Sequence, residues 1–159
     1  MLRPVTLPAE FTRGRLYLSS MPGRFEPLEV FMREIAAADV TNVVCLVDDA
    51  EIALKSPTYL AAIKGEKFPV SLWRFDIPDY GIPENTNDLD LLLGCLRERL
   101  ELGESVVIHC AAGHGRTGVV ATLLLVRMSM LLDDARKTIR LAGSAPDTQE
   151  QMRFLQPRN

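Results

Sequence analysis

Val106-Val107-Ile108-His109-Cys110-Ala111-Ala112-Gly113-His114-Gly115-Arg116-Thr117-Gly118 is the stretch from which fold and chemistry are both read. Ser105 to His109 is a short apolar, β-branched run without polar alternation, as expected of a strand buried on both faces. Gly113, Gly115 and Gly118 then break the chain, and Val119 to about Leu132 is apolar enough for a packed helix. A strand, a glycine turn and a helix in direct succession suit an α/β protein with a parallel sheet.

The flanking sequence extends that pattern. Arg15 to Ser19, Val43 to Val47 and Val70 to Phe75 read as further strands. Helices are expected from about Pro27 to Ala38, with Pro27 at the first helical position, and from Pro57 to Lys64, closed by Gly65. Asp76 to Asn87 carries Pro78, Gly81 and Pro83 and reads as a loop. In the helix expected from Asp88 to Leu102, Leu89, Leu92, Leu93, Leu96 and Leu100 share one face, with Gly103 at the C-terminal cap. A helix from Asp133 or Asp134 to Gly143 and a last one near Thr148 complete the chain. The expected architecture is α/β, a largely parallel central sheet of about four to five strands flanked by helices, with residues 1–159 forming a single domain.

Composition excludes several classes. With 18 Lys and Arg against 21 Asp and Glu, the net charge is −3, which supplies no general field toward nucleic acid. No apolar run approaches the roughly 20 residues that span a bilayer. Met1 to Glu10 shows no signal-peptide pattern. Three cysteines are too few for a disulfide scaffold, so a reducing, cytoplasmic setting is expected.

Five residues separate Cys110 from Arg116, a span able to curl backbone N–H groups around one tetrahedral anion. Gly113 and Gly115 permit the torsions this needs. The following helix aims its positive end at the same point, and Arg116 can clamp two anion oxygens with its planar fork. Such surroundings also favour negative charge on the Cys110 sulfur. A zinc site built on His109, Cys110 and His114 lacks a fourth ligand cluster. A nucleotide P-loop would need a lysine that is missing.

His109-Cys110-x-x-Gly113-x-x-Arg116-Thr117-Gly118 resembles the active-site signature of the cysteine-dependent protein tyrosine and dual-specificity phosphatases. The resemblance implies that Cys110 is the nucleophile and Arg116 the phosphate clamp. It further implies a cradle of Ala111, Ala112, Gly113, His114, Gly115 and Arg116. Thr117 would donate to the sulfur, and His109 would orient the loop from behind. Ile77-Pro78-Asp79-Tyr80-Gly81-Ile82-Pro83 is similar to the family's acid loop, which makes Asp79 the general acid, with Asp76 its rival. Gly143 to Phe154 is similar to the glutamine loop. Gln151 matches its second glutamine, and Asp147 stands where many members carry the first. Thr148-x-x-Gln151 is equally a helix capping box.

Upstream, Leu18-x-x-Met21-Pro22-Gly23 loosely resembles the kinase-associated phosphatase-like small members. The chain lacks the Lys-Asn-Arg-Tyr motif of the larger tyrosine-specific enzymes, which implies a shallow pocket. The expected activity is hydrolysis of phosphotyrosine, and of phosphoserine or phosphothreonine, on a protein or peptide. It would proceed through a phosphocysteine, without metal or other cofactor and in a monomer. Phosphoinositides or other small phosphorylated molecules are the alternative substrates, and a catalytically dead phospho-binding module is the alternative class. Some relatives of this class guard the nucleophile by a reversible disulfide to a cysteine at the position that Val47 holds here. Cys45 lies two residues earlier on the same strand face, too far without a shift of register or cradle. Cys95 is the other candidate, and an inert buried thiol is the simpler reading.

Overall fold

The computed structural model describes residues 1–157. Five strands, β1 (Arg3–Val5), β2 (Arg15–Ser19), β3 (Asn42–Cys45), β4 (Ser71–Arg74) and β5 (Ser105–His109), form one sheet in the order β1-β2-β5-β3-β4. All neighbours are parallel except β1, which runs antiparallel to β2 at the edge. The helices are α1 (Leu28–Ala37), α2 (Asp49–Lys55), α3 (Pro57–Lys64), α4 (Thr86–Glu101), α5 (Gly115–Arg127), α6 (Leu132–Leu141) and α7 (Gln149–Phe154).

Central β5 is buried along its whole length, which explains its unbroken apolar character. Val43 and Val107 lie side by side in register and pack on Phe31 and Ile35 of α1. On the opposite face, Val106 and Ile108 join a larger cluster that includes the leucines of α4 and Leu124 and Leu125 of α5. The five leucines expected on one face of α4 are all buried, whereas Leu91 on its other side is exposed. Fully burying one such side chain contributes roughly 1.5–3 kcal/mol, so this stripe anchors α4 against the sheet.

Several expected boundaries move, each for a local reason. α5 begins at Gly115 rather than Val119, because Gly118 N–H already donates to His114 O at 2.6 Å. α4 begins at Thr86 because the Asn85 side chain caps the Asp88 N–H. Pro27 is the residue before α1 rather than its first, with extended ψ of 143°. β3 stops at Cys45, and buried Leu46 and Val47 lead out of the sheet toward α2. A 3-10 turn at Ala9–Phe11 and two further elements were not expected at all. β1 has three residues and contains Pro4, tolerated at a sheet edge where a missing N–H costs little. α2 has seven residues, and the Asp48 side chain caps it by accepting from Glu51 N–H.

Register decides where chemistry can occur. Ser19, His109, Cys45 and Arg74 are paired across β2, β5, β3 and β4 at the C-terminal ends of the four parallel strands. The connections that follow these strands therefore open on one crevice, the usual place for a ligand in an open parallel sheet.

Candidate active site

Cys110 follows the last residue of β5 and is almost fully buried. Its sulfur accepts the Gly113 N–H at 3.3 Å. Gly113 has φ of +79°, and a Cβ there would run into the Ser19 carbonyl, so no other residue fits. Its carbonyl is held from outside: Arg3 Nη2 donates to it at 2.6 Å, and Ser144 Oγ also donates to it. The Arg3 Nη1 group simultaneously reaches Gly143 O at 2.6 Å and Ala142 O at 3.2 Å. With this carbonyl pinned outward, the trans peptide turns the His114 N–H to the other side. Arg3 is expected to shape the cradle in this way. Arg3→Ala should weaken inhibition by inorganic phosphate about tenfold, and unaltered inhibition would show that the clamp does not shape the cradle.

Arg116 lies in the first turn of α5 and is buried, yet four of its N–H donors have protein partners. Nη1 donates to Glu51 Oε2 at 2.9 Å and to Ile77 O at 3.1 Å. Nη2 donates to Glu51 Oε1 at 2.9 Å and to Asp79 Oδ1 at 3.0 Å. Glu51 also accepts from Lys55 Nζ at 2.6 Å. The Arg116 hydrogen bonds hold its carboxyl down at about 2 against the opposing effect of burial, with Lys55 adding to the same direction. Nothing in the chemistry of the motif named Glu51. The available signal was Asp48-x-x-Glu51, the start of the seven-residue helix that follows β3.

His109 is fully buried, with Nδ1 3.0 Å from Cys110 O and Nε2 2.9 Å from the Tyr59 hydroxyl. A carbonyl only accepts, so Nδ1 carries the proton and Nε2 accepts from Tyr59, as a neutral ring requires. Burial is the main cause that pushes His109 down to about 4. The unfolded chain takes up this proton near pH 6.5, whereas the folded one resists until about pH 4. Stability from this group is therefore complete above pH 6.5 and is lost as pH falls toward 4, by up to about 1.4 kcal/mol per pH unit. Denaturant titrations at pH 7 and 4.5 should show that loss, and His109→Asn should reduce it.

The remaining expected residues divide. A cavity of about 110 Å³ is lined by Cys110, Ala111, Ala112, Gly115, Arg116 and Asp79, with Gln151 and Asp147 at its edge. Asp76 is outside it, its carboxylate 3.9 Å from Arg74. His114 turns away as well, with Nδ1 2.9 Å from Gly143 O. His109 and His114 thus direct ring nitrogens to Tyr59 and Gly143, and the zinc trio is not assembled. The expected Thr117 hydrogen bond to sulfur is not formed. Thr117 Oγ1 is buried without a partner among the described residues, while Gly113 N–H occupies the sulfur.

Gln151 is both cap and tether. Its Oε1 accepts from the N–H groups of Asp147 and Thr148, and its Nε2 donates to Gly81 O at 2.9 Å, tying the Ile77 to Pro83 loop to α7. The Cys45 thiol is pushed up to about 11, chiefly by burial, and sits 3.5 Å from Val47 O. Such a thiol is a poor redox partner. A larger, mainly apolar groove of about 580 Å³ between α4, α5 and the C-terminal turn holds no nucleophile. A phosphoryl group is small and polar, so the smaller cavity is the one that suits this chemistry.

Comparison with known proteins accords with this geometry. The chain is 45% identical over 47 residues to human tyrosine-protein phosphatase non-receptor type 4, a segment that is 29% of this chain and 5% of that protein. It is 28% identical over 159 residues to mouse protein tyrosine phosphatase type IVA 2, covering 98% of this chain and 88% of that one. Of several curated relatives that it matches, it spans less than half the length. A crystal structure of kinase associated phosphatase with its catalytic-site cysteine changed to serine superimposes with a TM-score of 0.80 at 18% identity, covering 98% of this chain and 91% of that one. That likeness is one of fold. The model described as Swiss Army Knife protein, DSP-PTPase phosphatase domain, matches residues 13–159, and the chain belongs to that family.

Proposed function

We propose that residues 1–159 form one cysteine-dependent phosphatase domain, hydrolysing phosphotyrosine and also phosphoserine or phosphothreonine on proteins through a phosphocysteine. We place it in the cytoplasm as a monomer that needs no cofactor. The observation that carries this reading is that Cys110 and Arg116, from the β5–α5 turn and the first turn of α5, and Asp79, from the β4–α4 connection, line one small pocket. No helix among the described residues is long and apolar enough to cross a membrane.

In the first step the Cys110 sulfur attacks phosphorus, the bond from phosphorus to the leaving oxygen breaks, and Asp79 gives that oxygen its proton. Water then attacks the phosphocysteine, Asp79 takes its proton, and the sulfur leaves as thiolate with release of phosphate. Arg116 enters this sequence already engaged. Its Nη groups bind Glu51, Ile77 and Asp79, which leaves Nε–H as the one donor without a protein partner among the described residues. A phosphoryl group that takes two donors of the fork therefore uses Nε–H and the Nη2–H that Asp79 holds. Substrate binding in this way displaces Asp79 from Arg116 toward the leaving oxygen. Glu51 stays in place and fixes the plane of the fork.

Tyr80 lines the pocket and is largely exposed, and a rim of this kind admits both aryl and alkyl phosphate esters. The test is to compare phosphate release from phosphotyrosyl, phosphoseryl and phosphothreonyl peptides with release from inositol phosphates. Turnover of the phosphotyrosyl peptide is expected, and turnover confined to inositol phosphates would replace the proposed substrate.

A further inference from the structure

The turn between β2 and α1 is held more firmly than a surface connection needs. Met21 N–H donates to Ala111 O of the cradle at 3.2 Å, and Arg24 N–H closes the turn on Met21 O at 3.2 Å. Ser56 Oγ, at the junction of α2 and α3, donates to Pro22 O at 2.8 Å. Gly23 has φ of +76°, and a Cβ there would lie 2.6 Å from Ser56 Oγ. The backbone that presents Arg24 is thus tied both to the phosphate cradle and to the helices beside it. Arg24 lines the same cavity as Cys110.

Charge sets Arg24 apart. Three cations line this cavity, and two are already answered: Arg116 by Glu51 and Asp79, and Lys55 by Glu51 at 2.6 Å and Asp79 at 3.7 Å. The Arg24 guanidinium lies over the Phe25 ring, 4.5 Å from its centroid, and among the described residues it has no acidic partner. An aromatic face steadies a guanidinium and leaves its edge donors open. On another side of the cavity, the Asp147 carboxylate lies against Gly115 and disfavours a second anion there.

The geometry points to Arg24 as the residue that reads a second anionic group on the substrate, beside the phosphoryl group that Cys110 attacks. This inference rests on the phosphatase reading above. The group is a carboxylate flanking the phosphorylated residue of a protein, or a second phosphate on a small polyphosphorylated molecule, and both offer the planar fork the same pair of oxygens.

The test reads a ratio within each protein, so that any general loss of activity cancels. One arm divides kcat/KM for a phosphotyrosyl peptide with acidic neighbours by that for the same peptide with alanines. The other divides kcat/KM for an inositol bisphosphate by that for an inositol monophosphate. In the unaltered protein at least one ratio should be about ten, falling to about one in Arg24→Ala, as loss of a charge-assisted contact implies. Arg24→Glu should bring it below one. Ratios near one in the unaltered protein, or ratios that neither substitution moves, overturn the assignment. Discrimination confined to the inositol arm and lost in Arg24→Ala keeps Arg24 as the reader and makes its ligand a second phosphate, and the protein-substrate reading falls only if, in addition, the phosphotyrosyl peptides are not turned over.

Discussion

Cys110→Ser is expected to lower turnover of an aryl phosphate by about 10⁴-fold or more, while inorganic phosphate still binds. The reason is that no group is free to take the serine proton, since on the proposed mechanism Asp79 enters the first step protonated, as the acid. The nearest imidazole, His109, already uses Nδ1 on the Cys110 carbonyl and Nε2 on Tyr59, so it cannot take a proton from a serine hydroxyl. A sulfur reacts without such help because a thiol loses its proton far more readily than an alcohol. The binding apparatus does not depend on sulfur. Gly113 N–H can donate to a hydroxyl oxygen as it does to Sγ, and the Arg3 and Ser144 contacts that hold Gly113 O are remote from it. The decisive pair of measurements is steady-state hydrolysis and phosphate affinity by calorimetry. Turnover within tenfold of the unaltered protein would place the nucleophile elsewhere.

What could be read in the sequence was whatever is contiguous. Cys110 to Gly118 brings the proposed nucleophile, glycines and arginine together within nine residues, and local geometry alone makes them one loop. The buried leucine face of α4 was equally plain, because helical period and leucine spacing agree over four turns. Glu51 and Arg3 were not legible. Each acts on the cradle across a long stretch of chain, 65 residues for Glu51 to Arg116 and 110 for Arg3 to Gly113. Neither sits in a pattern that chemistry alone would single out. Their roles exist only because parallel register brings four strand ends to one edge and because β1 closes the sheet beside α6. Thr117 is the reverse case. The resemblance gave it a sulfur partner, whereas in the first turn of α5 its hydroxyl is buried without a hydrogen-bond partner among the described residues.

Gln151 shows how a capping residue acquires a second task. A capping box only requires that its side chain turn back on the Thr148 N–H. Here the same amide also reaches Gly81 O, two residues beyond Asp79. The loop that carries Asp79 is consequently fastened at two points, Gly81 to α7 and Ile77 O to Arg116. Between them, Asp79 Oδ1 accepts from Arg116 and from its neighbour Tyr80 N–H while Oδ2 faces Lys55, and in the proposed mechanism the Arg116 contact is the one exchanged for the leaving oxygen.

Asp79→Asn is accordingly expected to cost about 10²–10⁴-fold on alkyl phosphates, whose leaving oxygens need a proton, and far less on activated aryl phosphates. The sign of its pH effect is fixed by the role. An acid donates only while protonated, so the rate of the unaltered protein should fall as pH rises through the ionisation of the acid in the complex. On the low-pH side the rate should rise as nucleophile and substrate dianion form, giving a bell. Asparagine neither gains nor loses that proton, so in Asp79→Asn the falling limb should flatten while the rising limb persists. Asp76→Asn serves as the control, because Asp76 lies outside the cavity, opposite Arg74, whereas Asp79 is 3.0 Å from Arg116. A flattened limb in Asp76→Asn with an intact bell in Asp79→Asn would move the acid to Asp76. That outcome would require the loop to turn Asp76 inward, breaking the Ile77 O contact that now places Asp79 over the pocket.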